Sequence, residues 1–217
     1  MNADALLDSV REATATELSR LGSSKALYAA TGGDLDAESV FRAAATAERA
    51  AAETFEAWAD AESTEAAATA FRETAAEERE HAARVREELD GDAAGDAGGT
   101  HADDEPPALA AHLRGLDDTV ARAGGFLGRV LVADESKSQY VGYFVGDADP
   151  QSAAVFRELR EDLAGQRERA LDLLDAVCET EADWERAEAA AVAAVEAAYE
   201  AHVEALESLG VDPKPVC

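Results

Sequence analysis

Phe71-Arg-Glu-Thr-Ala-Ala-Glu-Glu-Arg-Glu-His81-Ala82 reads as one face of a helix. Phe71, Ala75, Glu78, His81 and Ala82 recur at three- and four-residue spacing, with Ala68 before them and Val85 after. They share an inward stripe on a helix over 65–89. Upstream, Val40, Phe41, Ala44, Glu48, Ala51, Phe55 and Trp58 make a matching stripe on a helix ending near Asp60. A polar turn from Ala61 to Thr64, centred near Ser63, joins the two. Glu48 lies 15 residues before that centre and Glu78 lies 15 after it, so antiparallel helices place both acids at one level. Phe55 and Phe71, each 8 residues from the turn, form a second layer.

The hairpin has an echo. A shift of 85 positions lays Phe41 on Phe126, Phe55 on Tyr140, Trp58 on Tyr143 and Phe71 on Phe156 without a gap. It also lays the turn 60–64 on 145–149. Repetition at a fixed offset is a duplicated supersecondary unit. The same shift lays Glu48 on Ala133, Glu78 on Leu163 and His81 on Gln166, so the second copy keeps the framework and lacks the candidate ligands.

The remaining chain is helical in pattern. Segment 3–30 predicts a helix carrying Leu6, Val10, Leu18, Leu21 and Leu27, closed by Gly32-Gly33, with Asp34 or Asp36 capping the next helix. The first hairpin then spans 34–90. Segment 91–107 is rich in Gly, Asp and Pro and predicts a flexible crossover. Pro106-Pro107 opens a short helix with Leu109, Leu113, Leu116 and Val120, which Gly124-Gly125 closes. The second hairpin spans 126–178, with Asp149-Pro150 as a helix start. Thr180 and Asp183 have capping-box spacing and open a last helix to Gly210 over 180–210. The expectation is an all-α single domain over 1–217, a four-helix bundle of two matched hairpins with extra N- and C-terminal helices.

Composition sets limits. Asp and Glu number 47 against 19 Lys and Arg, a net charge of −28, and only Lys25, Lys137 and Lys214 are lysines. Salt would screen that self-repulsion, so a halophilic chain is the reading adopted. No basic stripe exists to neutralise phosphates, which disfavours direct nucleic-acid binding. No apolar run reaches the ~18 residues of a membrane span, and no basic leader precedes the first helix. Two cysteines, Cys178 and Cys217, build neither a disulfide framework nor a CxxC site. A cytoplasmic protein without a membrane partner is expected.

Glu78 and His81, three residues apart with Glu48 level with them, are the candidate metal ligands. Carboxylate with imidazole suits iron, manganese or zinc, and an ion would balance acids buried in a bundle. The ordinary alternative pairs these acids with Arg79 or Arg84. The stretch from Phe71 to Ala82 resembles the second helix of a rubrerythrin-type, ferritin-like di-iron domain. Glu48-x-x-Ala51-x-x-x-Phe55 resembles the first. That resemblance implies Glu48 as a ligand of one iron, Glu78 as a bridging carboxylate and His81 as a terminal imidazole. It covers about 40–90 strongly and 126–177 in framework only. Three features depart from the family: the second half lacks its Glu and Glu-x-x-His, there is no rubredoxin-like CxxC pair, and helices 3–30 and 180–209 are additions.

Three outcomes are open. A single ion binds Glu48, Glu78 and His81, helped by Glu77, Glu53 or Glu135; two chains complete a site as a homodimer; or the site is vestigial. The first implies non-haem iron peroxidase- or ferroxidase-like chemistry in oxidative stress or iron handling. The last implies a non-catalytic interaction or regulatory protein; acidic halophilic chains resembling this one carry a transcription-antitermination label. An apolar-ligand carrier using Phe55, Trp58, Tyr140 and Tyr143 is a weaker third reading, since those rings suit a core. Glu17 is expected to pair with Arg20, while His101, His112 and His202 have no partner at ligand spacing. Lys137-Ser-Gln-Tyr140 reads as a plain helix face.

Overall fold

The computed structural model describes residues 1–89 and 106–213. Among them are nine helices and no strand: α1 Ala3–Ala13, α2 Ala15–Leu21, α3 Ser24–Ala30, α4 Ala37–Ala61, α5 Glu65–Glu87, α6 Ala108–Arg114, α7 Thr119–Gly146, α8 Pro150–Val177 and α9 Glu181–Ser208. The expected crossover lies almost wholly outside the described residues.

Local chemistry sets the helix ends. The side chains of Asp36 and Asp149 accept from the first-turn backbone N–H groups of α4 and α8. Thr180 and Asp183 form a complete capping box on α9. Gly32, Gly33 and Gly210 stop their helices at positive φ (63°, 96° and 71°), where a side chain is strained.

Two expectations fail here. Segment 3–30 is three helices. Thr14 turns its hydroxyl back onto the Val10 carbonyl, a local bond that competes with helix continuation, and Gly22-Ser23 makes the second break. Gly124-Gly125 does not end a helix either; both lie inside α7, so the second hairpin begins at Thr119 rather than 126. A Cβ on Gly124 would fall 2.1 Å from the Ala187 carbonyl oxygen, and one on Gly128 would fall 2.4 Å from that of Ala191. These glycines let α7 and α9 approach backbone to backbone, and the missing side chains serve packing.

α4 and α5 form one antiparallel hairpin and α7 and α8 another. α9 lies along α7, while the Ala3 N–H donates to Asp175 and ties α1 to α8. Every inward residue expected on α4 and α5 is buried. The rings form two clusters. Phe55, Trp58, Phe71 and Phe126 pack together, with Phe55 and Phe126 centroids 4.8 Å apart. Phe41, Tyr140, Phe144 and Phe156 form the other, with Phe41 and Phe144 also at 4.8 Å. Each cluster draws one phenylalanine from the opposite hairpin. Along α4, Glu48 falls midway between Phe41 and Phe55, seven residues from each. The acid layer is therefore bracketed by two apolar layers at coiled-coil spacing.

Candidate metal centre

Glu48, Glu78 and His81 converge as their spacing requires. They are 2%, 0% and 5% exposed, and one ligand atom from each lies within 4.8 Å of the others. By distance and chemistry the three could hold a metal ion. His81 Nε2 lies 3.1 Å from Asp162 Oδ2 at the bundle edge. Its Nδ1 faces inward, 3.7 Å from Glu48 Oε2 and 3.9 Å from Glu78 Oε2. Among the described residues neither His81 Nδ1 nor Glu48 Oε2 has a hydrogen-bond partner, and Arg129 Nη2 lies 3.6 Å from Glu48 Oε2 as an ion-pair neighbour.

The second hairpin contributes two cations that the sequence reading missed. Arg129 Nη1 and Nη2 donate to the two Glu78 oxygens at 2.8 and 2.7 Å, a bidentate fork, and Nη1 also reaches Gln166 Oε1 at 2.9 Å. Lys137 Nζ donates to Glu48 Oε1 at 2.6 Å. Gln166, at the position matching His81, donates to Glu78 Oε1 at 2.6 Å. Arg129 is 5% exposed and Lys137 1%. Both sit on α7, one helical turn either side of Ala133, the residue matching Glu48. The small alanine leaves room for them to reach the acids. Lys137 is thus no plain helix face: it carries a buried charge. The available signal was an inward lysine, on the stripe of Phe126, Ala133 and Tyr140, in a chain nearly without lysine.

The electrostatics follow from this packing. Burial pushes the Glu48 carboxyl up, but Lys137, aided by Glu78, His81 and Arg129, outweighs it and holds Glu48 well below the usual carboxylate range. Glu78 goes the other way: burial and the charge of Glu48 raise it despite Arg129. Burial alone would lower His81, yet Glu48 and Glu78 together raise it. With Nε2–H given to Asp162, a neutral imidazole would aim the Nδ1 lone pair at two carboxylates. That position calls for a proton or a cation.

The proposed helpers are elsewhere. Glu77 pairs with Arg169, and Glu53 pairs with Arg49 and Arg114. Glu135 approaches Gly22. Arg79 and Arg84 pair with Glu56 and Glu158 rather than with Glu78. Arg20 engages the Tyr199 hydroxyl and ring, not Glu17. His112 and His202 lie away from the acids on α6 and α9, and His101 falls outside the described residues. Among the described residues no helix is long and apolar enough to cross a membrane.

Comparison with protein-family models, curated proteins and solved structures found no match to this chain.

Proposed function

We propose that this chain is a ferritin-like bundle of two duplicated hairpins whose half-site is neutralised by its own cations, and that it acts as a non-catalytic binding protein. The observation that carries this reading is the Arg129 fork on Glu78, with Lys137 on Glu48. Counting Glu48, Glu78 and Asp162 against Arg129, Lys137 and a protonated His81 gives three negative charges and three positive. A divalent ion replacing that proton leaves a net +1 beside the guanidinium, in an interior where unbalanced charge is costly. Support for duplication is the exchange of Phe41 and Phe126 between the two ring clusters. Support for a halophilic setting is the net charge of −28.

A second reading keeps the metal. In its favour, two buried atoms without a hydrogen bond among the described residues, His81 Nδ1 and Glu48 Oε2, lie 3.7 Å apart. Asp162 on the far ring nitrogen is the kind of outer partner that orients a ligating imidazole. Such an ion would supply Lewis-acid or redox chemistry, and Glu48, Glu78 and His81 would hold it. A site shared across a homodimer is less compatible with this packing, because α7 and α8 of the same chain already cover all three residues.

Metal analysis of protein purified in high salt and exposed to ferrous iron, manganese and zinc separates the two. The non-catalytic reading expects far less than one ion per chain and no peroxide consumption. Stoichiometric metal that is lost in Glu78→Ala and His81→Ala would overturn it.

A further inference from the structure

A cavity of 640 Å³, open to solvent on one side, lies between α4 and α7 and is flanked by α3, α6 and α9. It is within the size range of small-molecule sites. Its apolar wall is largely alanine and leucine, including Ala47, Ala133, Ala201 and Leu109; Glu48, Lys137 and Arg129 form its buried polar end, and Asp34 and Arg42 are exposed charges on the same lining. Alanines on facing helices ordinarily allow close approach. Here α4 and α7 stand apart, and the small side chains leave open volume. The ring layer weighed from the sequence does not form this cavity: Phe55 and Trp58 are packed into the core, and of that set only Tyr140 lines the space.

The polar end has unused hydrogen-bonding capacity. Lys137 Nζ makes one hydrogen bond, to Glu48 Oε1, among the described residues, and an ammonium carries three donors. Further along the wall, His202 is 7% exposed and its Nδ1 has no hydrogen-bond partner among the described residues. Each buried charge here already has a partner, Lys137 on Glu48 and Arg129 on Glu78. An anionic head would compete with Glu48 for Lys137, and a cationic head would compete with Lys137 for Glu48. An uncharged oxygen accepts from Lys137 without disturbing either.

We infer that this cavity binds a neutral amphiphile, a hydrocarbon body ending in a single alcohol or carbonyl oxygen, with its head at Lys137 and its body along the alanine wall. The inference deepens the non-catalytic reading and rests on the ion-pair cluster being free of metal.

Equilibrium dialysis of the full chain in high salt with radiolabelled decanol, decanoate and decylamine tests it. Decanol binds saturably at one per chain. Decanoate and decylamine bind at least ~10-fold more weakly, because each buries a charge without a free partner. Ala47→Trp and Ala201→Phe narrow the cavity from different walls and lower decanol affinity ~10-fold or more with helix content unchanged. Lys137→Met lowers it through the head. No saturable decanol binding, binding by both narrowed variants as tight as by the parent, or a preference for either charged chain overturns the proposal. Metal content measured on the same samples keeps the two ideas apart: stoichiometric metal sinks the non-catalytic reading, whereas absent decanol binding in metal-free protein sinks only the ligand.

Discussion

Replacing Arg129 by Met tests the reading of the site most directly. Arg129 is 5% exposed and gives Glu78 two hydrogen bonds. Without it, Glu78 keeps, among the described residues, only the Gln166 amide at 2.6 Å as a donor and stays fully buried. Removing one partner of a buried ion pair costs about 3–5 kcal/mol. For a chain of this size, 1 kcal/mol moves Tm by about 2–4 °C, so a fall of roughly 6–20 °C is expected. The double variant Arg129→Met/Glu78→Leu removes both charges and fills the space with apolar volume. Such replacements are often neutral or stabilising, so the double variant should recover most of the loss. Urea denaturation followed by circular dichroism at one fixed salt concentration gives the full cycle. A single variant costing less than about 1 kcal/mol, or a double variant as unstable as the sum of the two singles, would refute the claim that these two charges exist to neutralise each other.

Gly128→Ala should destabilise by about 1–3 kcal/mol, because its Cβ meets the Ala191 carbonyl of α9 at 2.4 Å and overpacking forces the backbones apart; thermal unfolding reads this, and an unchanged Tm contradicts the close contact. His202 sits below its ordinary value of 6.5, through burial and then the charges of Arg20 and Lys25. Below about pH 6.5 the unfolded chain therefore takes up a proton that the folded chain resists, and stability falls with pH. His202→Phe should lose less stability than the parent between about pH 7 and pH 5, and equal losses would count against this. With a net charge of −28, Tm should rise as sodium chloride is raised from about 0.1 M to 1 M, since the Debye length shrinks from ~10 to ~3 Å; a flat response would remove the case for a salt-adapted surface.

The hairpins were legible because each inward stripe repeats a strong signal over several turns. Phe41, Glu48 and Phe55 on one helix and Phe71, Glu78 and Val85 on the other are all buried, as spacing alone requires. The caps at Asp36, Asp149 and Thr180 were legible because a side-chain oxygen one turn before a backbone N–H is a local device. The break at Thr14 was not, since the leucine period continues across it, whereas Gly22 fits a helix interruption by residue type alone. Gly124 misled for a different reason: a glycine that permits contact between distant helices looks the same in sequence as one that ends a helix. Arg129 and Lys137 escaped because the acids were compared with the residues at the matching repeat positions. The answering charges lie a turn to either side, at reach rather than at register.

That displacement bears on what the cluster does for the molecule. Between the two ring layers, where Phe55 meets Phe126 and Phe41 meets Phe144, α4 and α7 are separated by the cavity. Lys137 joins α7 to Glu48 of α4 across that gap, and Arg129 joins α7 to Glu78 of α5 beside it. Well-packed apolar side chains at the same four positions would give equal or greater stability, but they would occupy the volume the alanines leave empty. Long side chains meeting tip to tip connect two helices without filling the space between them. The Lys137–Glu48 pair and the cavity are on this account one feature: the pair spans two helices where no apolar side chain fills the space between them.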